Sequence, residues 1–192
     1  MTVTTVGLTL AAASSSSAAT VSGFQTPYAP INWTFTNSNA DGSVNTGGAP
    51  ASISLTGGNN GSGNFGTTDY TTTAAAAGTV TFNWNYSTND SDGPFSDPFG
   101  YLLNGSFTQV TDDVGGVVQN GTSTFNVLAG DSFGFRIFTI DNTSGRASVT
   151  ISNFSAPGPM APPPTSVPEP STVLSLLVLG GLGAGLKYLK RN

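Results

Sequence analysis

Residues 79–87 limit most severely what this chain can fold into. Val80, Phe82, Trp84 and Tyr86 fall at one parity, and Thr79, Thr81, Asn83, Asn85 and Ser87 at the other. An apolar set repeating every second residue lines one face of a strand, whereas a helix would scatter it around its circumference. Weaker versions of the pattern recur at 31–36, 52–56, 70–74, 99–103, 106–111, 122–128 and 146–154. Residues 132–140 carry Phe133, Phe135, Ile137, Phe138 and Ile140, apolar on both parities, which predicts a central strand. Asn104-Gly105 is a two-residue hairpin signal, and Asp41-Gly42, Ala129-Gly130-Asp131 and residues 141–145 are further turns. About eight short strands with no helical period predict an all-β fold, an antiparallel β-sandwich of jelly-roll-like form over residues 20–156. Trp33, Phe35, Phe82, Trp84, Phe99, Phe125, Phe133, Phe135 and Ile151 are its expected core.

The side chains that are missing restrict the chemistry. The chain has no histidine and no cysteine. A Ser-His-Asp triad, a thiol nucleophile and an ordinary zinc site are therefore excluded. Lysine occurs only at 187 and 190, so residues 1–166 hold no Schiff-base or phosphate-loop lysine. Gly57-Gly58 and Gly115-Gly116 do not lead from a strand into a helix, so neither reads as a phosphate cradle. Residues 1–166 contain two arginines against nine aspartates, a formal −7 that makes nucleic acid a poor partner. Only aspartates remain for acid–base work, and the chain is expected not to be an enzyme; a two-aspartate polysaccharide hydrolase is the residual catalytic reading.

One aspartate cluster stands out. Asp90-Ser91-Asp92-Gly93-Pro94-Phe95-Ser96-Asp97 offers three carboxylates, Asp90, Asp92 and Asp97, at spacings that could ligate Ca²⁺. Asp112, Asp113, Asp131 and Asp141 are candidates to complete such a site from neighbouring loops. A solvated acidic turn accounts for the same residues. Exposed aromatics on a sheet can stack on sugars, and Trp33, Trp84, Tyr86 and Tyr101 are the candidates, although Trp84 and Tyr86 lie on the apolar parity.

The C-terminal residues obey different rules. Seven prolines between 157 and 170 predict an extended, solvated linker, assigned here to residues 157–166. Residues 173–189 then run with Lys187 as their only charge, and as a helix they would span about 25 Å, a short transmembrane segment. Lys187, Lys190 and Arg191 close the chain and, by the positive-inside rule, hold this end in the cytoplasm with residues 1–166 outside. At the other end, residues 1–19 hold a short apolar run and a Ser17-Ala18-Ala19 cleavage-like site but no positive charge. They read as a partial or truncated signal peptide whose start lies upstream.

Val167-Pro168-Glu169-Pro170-Ser171, one apolar helix and a basic end, in that order, resemble the PEP-CTERM sorting tail of Gram-negative bacteria and cyanobacteria. The resemblance covers residues 167–192. It implies recognition by exosortase, a membrane protease-transpeptidase, with Pro168, Glu169 and Pro170 as the sorting motif and Lys187, Lys190 and Arg191 as the membrane stop. It further implies transient anchoring in the inner membrane, then deployment at the cell surface or outside the cell. The expected function is that of an exported non-enzymatic surface or extracellular-matrix protein placed among exopolysaccharide. The alternative is a lectin-like carbohydrate-binding module, calcium-assisted if the aspartate cluster ligates.

Overall fold

The computed structural model describes residues 18–160. The signal-like segment up to residue 17, the sorting motif, the expected transmembrane segment at 173–189 and the basic end all lie outside the described residues. Among the described residues no helix is long and apolar enough to cross a membrane.

The alternating segments become strands of two antiparallel sheets. In chain order these are β1 (Ala18–Ser22), β2 (Thr34–Ser38), β3 (Ser43–Asn45), β4 (Ser52–Thr56), β5 (Gly66–Thr73), β6 (Gly78–Thr88), β7 (Phe99–Leu103), β8 (Ser106–Gln109), β9 (Val118–Val127), β10 (Ser132–Thr139) and β11 (Ala147–Met160). One sheet has the order β3-β4-β11-β6-β9, with β1 also paired to β11. The other has the order β2-β5-β10-β7-β8, which puts β10 at its centre as its two apolar faces predict.

The core fills the space between the sheets, where the apolar parities meet. Val80, Phe82, Trp84 and Tyr86 of β6 face Phe133, Phe135 and Ile137 of β10, with Val149, Ile151 and Phe154 of β11 beside them. Trp33 stacks on Tyr70 at 4.9 Å and on Phe135 at 5.5 Å, and Phe24 stacks on Phe154 at 4.8 Å. Each such pair contributes about 0.5–1.5 kcal/mol beyond the area it buries. Asn104 and Gly105 both take positive φ, 49° and 82°, as a type I′ hairpin turn between β7 and β8 requires.

Four expectations need correction. Phe35 is 45 % exposed and not core; it shares the face of its partner Tyr70, but β2 is an edge strand and leaves the ring in an open groove beside Ile31 and Val44. The strand expected at 31–36 starts later, because Pro30, at the first position of a 3-10 turn, takes residues 30–32 out of the sheet. The Pro-rich linker does not begin at 157. There β11 continues to Met160 beside β1, Pro157 and Gly158 are buried, and the Pro157 carbonyl accepts the Tyr28 hydroxyl. Proline lacks a donor but keeps its acceptor, so a strand tolerates it where only the carbonyl is used. Correspondingly, Ala18 and Ala19 belong to β1 and to the sandwich.

Candidate functional site

The aspartate loop crosses from one sheet to the other, leaving β6 at Thr88 and entering β7 at Phe99. It closes one end of the sandwich. The inward series of β6 runs Val80, Phe82, Trp84, Tyr86 and ends in Thr88; that of β10 runs Phe133, Phe135, Ile137 and ends in Thr139. Both threonines are buried. Two opposed apolar series thus finish in hydroxyls at the same end, under the loop.

Those hydroxyls meet Asp97. Thr88 Oγ1 donates to Asp97 Oδ2 at 2.9 Å and accepts the Asp90 amide at 3.0 Å, so one side chain joins the two aspartates. Tyr86 donates its hydroxyl to the Asp97 carbonyl at 3.0 Å. Asp90 Oδ1 accepts the Asp92 amide at 2.7 Å. Gly93, at φ 80°, makes the turn that lets the Ser96 carbonyl accept the Ile140 amide of the facing strand's end. Asp90 is 4 % exposed and Asp97 fully buried, yet Asp90 Oδ2 and Asp97 Oδ1 have no hydrogen-bond partner. Burial pushes the Asp97 carboxyl up to about 6; the hydroxyls of Thr88 and Thr139 oppose the shift, while Asp90 and Asp141 add to it. Asp90 moves in the same direction, through burial first and then the charges of Asp141 and Asp92. Burial also raises the Tyr86 phenol, with the Asp97 charge next in size.

The structure therefore brings Asp90 and Asp97 together and leaves Asp92 at the surface. Among the described residues no three acidic side chains converge as a ready metal set. Asp141 is near enough for its charge to act on both buried aspartates, but its Oδ1 accepts the Thr143 amide in a turn. Asp131 cannot help, because β7 and β10 run antiparallel and place it at the far end, where it caps Leu128 and accepts from Asn104. Asp112 and Asp113 are exposed and bond to Val114 and Gln109. Both body arginines are paired, Arg136 bidentately to Asp69 at 2.6 and 2.7 Å and Arg146 to Asp41 at 3.0 Å.

The sugar-stacking expectation fails on burial. Trp33, Trp84 and Tyr86 are core residues, and Tyr101 is covered by Phe125 at 4.3 Å and 5°. What the outside offers instead is uncharged and polar. Thr79, Thr81, Asn83 and Asn85 of β6 lie beside Asn126, Thr124, Thr122 and Asn120 of β9. On the other flank Ser148, Thr150 and Ser152 of β11 continue the rows to Thr56, Ser54 and Ser52 of β4. Rows about 4.8 Å apart, with side chains about 6.8 Å apart along each strand, make a lattice of hydroxyls and amides without a charge. Lateral bonds such as Thr79 to Asn126 and Thr122 to Asn83, both 2.9 Å, hold it in order.

Residues 166–191, which contain Pro168-Glu169-Pro170, match the family described as the PEP-CTERM protein-sorting motif. The chain carries a PEP-CTERM sorting tail. Such a motif marks an exported protein sorted through the cell envelope. No curated protein matches the chain. Among solved structures the sandwich is similar to a family 35 carbohydrate binding module from Clostridium thermocellum, with 13 % identity over 70 % of this chain and 98 % of that one and a TM-score of 0.36. It is also similar to a family 11 module from the same organism, in complex with a β-1,3-1,4-mixed-linked tetrasaccharide, at 13 % identity over 78 % and 100 % with a TM-score of 0.40. At TM-scores this low the likeness assigns this PEP-CTERM protein neither site nor ligand.

Proposed function

We propose that this protein is a non-enzymatic component of the cell surface or extracellular matrix, delivered through its PEP-CTERM tail by exosortase. The single observation that carries the reading is the match over residues 166–191. The body supports it with its lack of histidine, cysteine and lysine and with a buried aspartate pair that closes the sandwich end. In this reading exosortase acts near Pro168-Glu169-Pro170. The apolar run at 173–189, with Lys187, Lys190 and Arg191 at its end, would anchor the chain in the inner membrane until then. Replacing Glu169→Ala tests the step: full-length protein should accumulate in the membrane fraction, and an unchanged distribution contradicts the proposal.

The body's role is contact with an uncharged polysaccharide. Its support is the outer face of β4, β11, β6 and β9, where hydroxyls and amides both donate and accept and no like charge repels. The nine aspartates are elsewhere. Sedimentation of the full chain with insoluble cellulose or chitin tests this. Retention should resist salt and be lost in Asn85→Lys with Thr124→Lys. No retention on either polymer contradicts the polysaccharide role and leaves the sorting reading to its own test.

A further inference from the structure

We propose that the end of the sandwich closed by the Asp90–Asp97 loop is a Ca²⁺ site, with Asp90 Oδ2 and Asp97 Oδ1 as its protein carboxylate ligands. The sequence spacing raises the idea, but the geometry carries it. Both side chains are more than nine-tenths buried, the Thr88 hydroxyl donates to the Asp97 carboxylate and accepts the Asp90 backbone amide, and each carboxylate keeps one oxygen with no hydrogen-bond partner. A buried carboxylate oxygen without a donor forfeits its hydration and receives nothing in return. Native interiors resolve this with a donor, a cation or neutralisation. Neither atom has a hydrogen-bond partner of good geometry, although the Thr139 hydroxyl lies near enough to Asp97 to act on its carboxyl. Both body arginines are engaged with Asp69 and Asp41, and no lysine or histidine lies in the described residues. The two carboxylates carry the charge one divalent ion neutralises.

The ion's chemistry follows from the oxygens. Carboxylate, hydroxyl and carbonyl oxygens with no nitrogen or sulfur ligand select a hard cation. Two protein carboxylates from a loop, completed by water and neighbouring oxygens, suit the flexible coordination of Ca²⁺ better than the strict octahedron of Mg²⁺. With few charged ligands the affinity belongs to the range of extracellular modules, about 10⁻⁴–10⁻³ M, where calcium outside a cell is abundant enough to load it. Such an ion would clamp the end of β6 to the start of β7, and so one sheet to the other. The inference does not rest on the sorting tail.

Isothermal titration of the chelator-treated full chain in detergent with CaCl₂ tests it, alongside thermal unfolding with Ca²⁺ or Mg²⁺. Expected are one Ca²⁺ per chain and a Tm rise of roughly 3–6 °C at about ten times Kd. Asp90→Asn and Asp97→Asn should each weaken binding at least tenfold, and Asp92→Asn should leave it within twofold. Absence of both heat and Tm shift in the wild-type chain overturns the site, and so does binding that survives in both buried-aspartate variants. If either variant does not fold by circular dichroism, the wild-type titration decides alone.

Discussion

Asp97 is a residue whose charge the fold resists. Its folded carboxyl titrates at about 6, above the ordinary 3.8, chiefly through burial. The unfolded chain therefore releases this proton first. Stability from the group is complete below about pH 4 and is lost as pH rises through about 6, a change on the order of 2–3 kcal/mol. Chelator-treated protein should melt at a lower temperature at pH 7 than at pH 5, and Asp97→Asn should flatten that slope; a rising melting temperature across this window contradicts the burial argument. The Arg136–Asp69 pair is a different residue-scale case. It lies directly across β10 and β5, is bidentate and only partly exposed, so Asp69→Ala should cost about 1–2 kcal/mol in denaturant unfolding. Arg136→Lys, with Asp69 intact, should keep only part of the pair's contribution, since an ammonium cannot form the fork.

At the scale of elements, legibility followed the number of residues that repeat a pattern. β6 was readable because five inward positions, Val80 to Thr88, share one parity. The Asn104-Gly105 turn was readable because few other sequences take positive φ twice. β3, three residues long, was not readable, because it is held by its pairing with β4 and has no alternation of its own. β1 and the end of β11 are not legible for a related reason. Ala18-Ala19 and Pro157-Gly158-Pro159 have leader-like and linker-like compositions, and only their pairing with each other makes them strands. The aspartate site is half legible: the spacing of Asp90 and Asp97 is a sequence signal, but their burial depends on Thr88 and Thr139 arriving from two sheets. The polar endings of those two inward series were the available signal. Close packing is a further element-scale constraint. A Cβ on Gly121 of β9 would sit 2.8 Å from Cζ2 of Trp84, so Gly121→Ala should displace the indole, cost about 1–3 kcal/mol and alter Trp84 fluorescence. Wild-type emission and stability in that variant would show that β9 does not pack against β6 as described.

Across the whole molecule, two kinds of information occupy two stretches of chain. Residues 18–160 form a sandwich whose interior is aromatic and whose broad outer face is hydroxyl and amide. Residues 166–191 carry the sorting motif and, with it, the only glutamate and all the lysines of the protein. The envelope-sorting motif marks the chain for export and placement in the cell envelope. Intact mass spectrometry of the protein recovered from the surface or medium of the producing cells tests this most directly. Processing by exosortase predicts a mature chain that ends near Pro168-Glu169-Pro170 and lacks Lys187, Lys190 and Arg191. A mature protein that still carries Lys190 and Arg191 would contradict it and make the C-terminal segment a permanent anchor.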